Sequence, residues 1–126
     1  MSEFVCAIIF SIISSIVIGF QGCLAAGLPW GAASMGGKFP GKYPKKMRIV
    51  AVVNMVILGF LAAIVLSKAN VYFVQLKPIT SIGIWVVVGF SAIGTILNTI
   101  TPSKIERIWA PLALVQFITS LLIALK

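Results

Sequence analysis

Four apolar runs without a single charged residue, at about 4–26, 49–66, 79–97 and 108–125, leave this chain few ways to fold. Each is close to the roughly 20 residues that cross a hydrocarbon core. No water is present there to receive backbone N–H and C=O groups, so each run must pair them internally, as a helix does. The expected fold class is all-α: a polytopic membrane protein, one domain over 1–126, built as a compact bundle of four transmembrane helices. Composition agrees. Sixty per cent of the residues are hydrophobic and 10% are charged, against roughly a quarter charged in a soluble domain.

Ten Lys or Arg stand against two acids, Glu3 and Glu106. In a soluble protein that balance would suggest nucleic acid. Here the basic residues lie outside the apolar runs, as membrane topology requires, and no nucleic-acid partner is expected. The links 27–48 and 98–107 share one side of the membrane. They carry Lys38, Lys42, Lys45, Lys46, Arg48, Lys104 and Arg107, whereas the other side has Lys68, Lys77 and Lys126. The positive-inside rule therefore places both links in the cytoplasm and both termini outside. The stretch "FQGC" ending at Cys23 loosely resembles a lipoprotein cleavage box. The start carries Glu3 rather than a basic region, so the first segment is expected to stay as a membrane helix.

Helices in lipid associate largely through close approach at small residues. The first segment shows such a stripe, Ser11, Ser15, Gly19 and Cys23, widened by Gly22 and Ala26. Ser91 and Thr95, with Gly83, Gly89 and Gly94, and then Gly59, Ala62 and Ala63 supply others. They predict a bundle with the first helix near its centre. At 1.5 Å per residue, Gln21 and Asn54 fall about 8 Å below the boundary on the side of the two links. Asn98 is near that boundary, and Gln116 lies about 12 Å down the fourth segment. The opposite half of the membrane has serines but no amide. Two readings stay open for this intramembrane polar cluster: helix-to-helix hydrogen bonds of about 1 kcal/mol each, or the wall of a polar vestibule.

The first link, "GLPWGAASMGGKFPGKYPKKMR", combines glycines, prolines, aromatics and bases. Its "AASMGGK" resembles a phosphate-binding loop, but Phe39 replaces the magnesium-binding hydroxyl and a membrane helix replaces the strand. What remains is an anion nest, in which glycines let successive N–H groups point one way. Gly31, Gly36, Gly37, Lys38 and Arg48 are its candidate residues, with Glu106 and Arg107 from the second link. Trp30 and Trp109 are expected to anchor the loops at headgroup height, with Tyr43 beside them. In "TPSKIER" either Thr101 or Ser103 can cap the fourth helix, the latter with Glu106 in a capping box. Glu106 is expected to pair with Arg107, Arg48 or a loop lysine, and Pro111 to bend the fourth helix or free a backbone carbonyl near the loop side.

The chain has no histidine, and its two cysteines, Cys6 and Cys23, lie 17 residues apart without a C-x-x-C pair. No metal site or cofactor is expected. With no nucleophile–base pair either, no enzyme is expected.

The pair "GLPWG…GGKFPGKYPKKMR" and "NTITPSKIERIWAPLAL" resembles an uncharacterised family of small bacterial four-helix integral membrane proteins. Its loop signatures are G-x-P-W-G, G-G, P-x-x-x-R and E-R-x-W-x-P. The resemblance implies a multi-pass protein of the bacterial cytoplasmic (inner) membrane with distinctive loops and no set activity. The expectation is a non-enzymatic protein whose two basic loops engage an anionic lipid headgroup or a partner membrane protein. The alternative is a small oligomeric transporter or channel with a path past Gln21, Asn54, Asn98 and Gln116. Besides the bilayer itself, the partners to consider are an anionic lipid, another membrane protein and a second copy of the chain.

Overall fold

The computed structural model describes residues 2–71 and 77–126. It contains four long helices: α1 (Glu3–Ala26), α2 (Lys45–Lys68), α3 (Lys77–Ile100) and α4 (Trp109–Ala124). α1, α2 and α3 are long and apolar enough to cross a membrane, as is α4 together with the 3₁₀ turn Glu106–Ile108 that leads into it. No strand occurs among the described residues. Ser2 caps α1 by accepting the Val5 N–H at 3.2 Å, which satisfies one of the orphan donors at a helix start. The start of α1, the end of α2 and the end of α4 lie on one side, opposite the two links 27–48 and 98–107. The side chain of Lys77, one of three bases expected there, lies outside the described residues.

α2 begins four residues earlier than the apolar run, directly after Pro44. Lys45, Lys46 and Arg48 are therefore helical rather than part of the loop. The reason is geometric. Twenty-four residues rise about 36 Å, more than the roughly 30 Å hydrocarbon core, so helical pairing continues into the headgroup layer where charges are solvated. α3 likewise runs on through Asn98 to Ile100. Pro111 stands in the first turn of α4, where a missing N–H has no intrahelical partner to lose.

Each helix packs on two neighbours, in the order α1, α2, α3, α4 around a square, and α2 and α4 meet only marginally across it. No helix is central, contrary to the expectation for α1. The small-residue stripe of α1 is not its packing face either: Ser15 and Gly19 are exposed, and Cys6, Ala7, Phe10, Ile13, Ser14, Gln21 and Leu24 are buried instead. Nothing lies within 4 Å of a Cβ built on Gly19, Gly59, Gly89 or Gly94. Large side chains on the other face bury more dispersion contact than serines do. Close approach does occur at Gly22 against Met55 and at Gly83 against Ile64, both at 3.4 Å.

The half of the bundle near the termini is filled by Cys6, Ala7, Phe10, Leu61, Ile64, Val65, Ile84, Val87 and Ile123. All four helices contribute, and α2 is pinned to α3 where Gly83 meets Ile64. No more than 28% of any spanning window is buried within the bundle, which leaves the rest of each apolar surface for lipid.

Candidate functional site

At the loop end of α1 the chain leaves the helix at Gly27 and makes two 3₁₀ turns, Gly31–Ala33 and Met35–Gly37. It then folds back so that Gly31 N–H donates to Gly41 O at 2.8 Å. A Cβ on Gly31 would stand 1.8 Å from Phe39 O, so only glycine fits this crossing. Met35 and Gly36 both take left-handed φ angles, 52° and 66°. This turns the Gly36 N–H away from the local backbone and toward the second link.

The second link receives it. Thr101 Oγ1 accepts the Ser103 N–H at 3.2 Å, and Ser103 Oγ accepts the Glu106 N–H at 3.3 Å. Both candidate caps are thus used in sequence, and the Ser103 N–H is no longer available to Glu106. The capping box stays half made, which releases the carboxylate. Glu106 Oε2 accepts the Gly36 N–H at 3.0 Å. The Ser103 hydroxyl donates to Ala32 O, and Trp109 Nε1 donates to Ala33 O at 2.9 Å. Three hydrogen bonds therefore clamp residues 32–36 onto the start of α4, and the Trp109 ring packs 4.8 Å from Phe20. The expected ion pair of Glu106 with Arg107, Arg48 or a lysine is replaced by this bond to Gly36. Arg48 Nε donates to Ala25 O at 2.8 Å and Arg107 Nε to Thr101 O at 3.1 Å. Both arginines tie down carbonyls near helix ends.

Beneath the clamped loop lies a cavity of about 640 Å³, within the roughly 300–1,000 Å³ range of drug-sized ligand sites. Gln21, Asn54, Asn98 and Gln116, one from each helix, all line it, as do Gly36, Lys38 and Glu106. Gly31, Gly37, Arg48 and Arg107 do not. Gln116 Nε2 donates to Ser14 Oγ at 2.9 Å, joining α4 to α1. Asn98 Nδ2 turns back on its own helix, to Gly94 O at 2.8 Å. The other two amides differ. Among the described residues, the side chains of Gln21 and Asn54 have no hydrogen-bond partner, although Gln21 is only 9% exposed. Buried polar groups normally find a partner, in protein or in what occupies the space beside them.

Apolar groups from α2 and α3 form one wall, and several face outward as well. Ile57, Leu97 and Ile100 line the cavity while being 41%, 57% and 68% exposed. α2 and α3 approach closely where Gly83 meets Ile64, and nearer the loops residues of both helices line the cavity. On α3, Ser91, Gly94 and Asn98 share one face, and on α4 Trp109, Leu112, Ala113 and Gln116 do. That i, i+3, i+4, i+7 spacing is the signal by which Ser91, Trp109 and Leu112 could have been added to the amides. Tyr43, expected as an interfacial anchor, is buried against Leu24 and Ala51, with its hydroxyl unpaired. Trp30 is exposed. No metal-binding group of three His, Cys, Asp or Glu occurs among the described residues.

No protein-family model, curated protein or solved structure matches the chain.

Proposed function

We propose that this is a non-enzymatic integral membrane protein that binds a membrane-borne ligand in the cavity beneath its clamped loop. One observation carries the reading. Four amides on four helices line a single cavity, and two of them have no protein partner among the described residues. A structural role alone would be met by bonds like that of Gln116 to Ser14. Unpaired amides in an amphipathic cavity open toward lipid suit a ligand that is polar at one end and apolar at the other.

The packed core of Phe10, Leu61, Ile64, Ile84, Val87 and Ile123 fills the opposite half, which favours binding over passage through the bundle. The exposed lysines of the loop side that do not line the cavity, Lys42, Lys45, Lys46 and Lys104, would meet anionic headgroups of the surrounding leaflet. By the positive-inside rule that leaflet is the cytoplasmic one of a bacterial inner membrane. Reporter fusions at Lys126 that read a cytoplasmic C-terminus would reverse this orientation.

Binding is tested with a plug. Gly94 lines the cavity and has nothing within 4 Å of its Cβ position, so Gly94→Phe introduces a ring without a backbone clash. Native mass spectrometry of the protein released from lipid nanodiscs should show a retained adduct that Gly94→Phe loses. Identical adduct spectra for the two proteins would overturn the reading.

A further inference from the structure

The cavity has a chemical signature besides its amides. Glu106 is a carboxylate only 8% exposed, on the cavity wall of a chain with net charge +8. Resting on the binding reading above, we propose that the ligand is a lipophilic organic cation, an apolar body whose cationic group sits against Glu106.

Among the described residues the Glu106 carboxylate has one hydrogen-bond partner, the neutral Gly36 N–H, and no cationic partner. An ionised carboxylate can accept about four hydrogen bonds, and a buried charge is normally paired. Arg48 and Arg107 bond Ala25 O and Thr101 O through Nε, and among the described residues neither forms an ion pair with Glu106. Lys38 reaches the rim but is solvent-exposed. The cavity wall therefore presents one carboxyl group whose partner among the described residues is a neutral N–H, with the exposed Lys38 also on the lining.

The rest of the lining suits such a ligand. The Phe20 and Trp109 rings, 4.8 Å apart, are both on the wall, and aromatic faces attract cations. The carbonyl oxygens of Gln21 and Asn54 can accept N–H bonds from an amine. The apolar side chains of α2 and α3 on the wall match a hydrophobic body that arrives through the bilayer. An anionic ligand would meet Glu106 at close range with only an exposed lysine to offset it.

The rival account makes Glu106 purely a clamp for the loop. Glu106→Gln separates the two, since its amide oxygen still accepts the Gly36 N–H while the charge is gone. The test uses equilibrium dialysis of the full chain in neutral detergent, with protein-free micelles subtracted. Its probes are tetraphenylphosphonium and tetraphenylborate, of matching shape and opposite charge. Tetraphenylphosphonium should bind saturably, with tetraphenylborate roughly tenfold weaker or worse. Glu106→Gln should weaken phosphonium binding by roughly tenfold, and Gly94→Phe should abolish it.

Equal binding of tetraphenylphosphonium to wild type and Glu106→Gln overturns the proposal. So does borate binding that equals or exceeds phosphonium binding in the wild type, a comparison that stands even if the variant does not fold. Borate binding that equals or exceeds phosphonium binding and is abolished by Gly94→Phe removes the cation assignment but keeps the cavity as a ligand site. Binding of either probe that Gly94→Phe leaves untouched removes both.

Discussion

The two halves of this bundle use the same four helices in opposite ways. Near the termini, Phe10, Ile64, Ile84 and Ile123 meet in a packed core, and Gly83 brings α3 against Ile64. Near the loops, the helices carry amides and line a cavity of about 640 Å³. Dispersion between these apolar side chains is the main contact that holds the first half together. The second is held from above, by hydrogen bonds that tie residues 32–36 to Ser103, Glu106 and Trp109. The difference teaches that stability and binding are spatially divided. One half can be close-packed because the other does not have to be.

That division can be broken by substitution. The largest effect belongs to the packed half, where Phe10→Ala should lower unfolding stability in detergent by about 3–5 kcal/mol. A loss under 1 kcal/mol would mean the core is not where the bundle is held. Next comes the clamp. Gly31→Ala should cost about 2 kcal/mol or more, because its Cβ collides with Phe39 O and the Gly41 bond must move. Protease cutting within residues 27–44 should rise with it; unchanged cutting would show that the loop has another support.

Within the cavity the amides should divide. Gln116→Leu gives up the bond to Ser14 and should cost about 1 kcal/mol. Gln21→Leu gives up none among the described residues and should be neutral or stabilising, as should Tyr43→Phe, whose hydroxyl is buried and unpaired. Thermal melts that rank Gln21→Leu below Gln116→Leu would reassign Gln21 to the structural set. The smallest effect is expected on the outer face. Gly19→Ala should gain a few tenths of a kcal/mol from helix propensity. A clear loss, with a change in oligomeric size, would show that a second copy covers the Ser15–Gly19 face.

Much of this arrangement was legible beforehand. Charge-free runs of spanning length permit only helices in lipid, so the four spans and their approximate limits followed directly. Counting depth along each run placed Gln21, Asn54, Asn98 and Gln116 on the same side of the membrane, and all four share one cavity. The small-residue stripe of α1 misled, because spacing shows which residues share a face but not which face is buried. Glu106 misled for a related reason. A capping box is the local solution for Ser103 and Glu106, and the alternative partner, Gly36, lies 70 residues away in the chain. Only the folded loops bring it within reach.

By itself, then, the sequence determined the medium, the helices, the side of the membrane that holds the polar groups and the crowding of bases on the two loops. Hydrophobicity and length are properties of contiguous residues and can be read in order. Tertiary structure decided the rest: which face of α1 packs, that residues of all four helices line one cavity below the loops, and that Glu106 is buried on that cavity with a glycine N–H as its partner. Those outcomes depend on contacts between distant segments, where competing local solutions differ by about 1 kcal/mol and the whole packing selects among them.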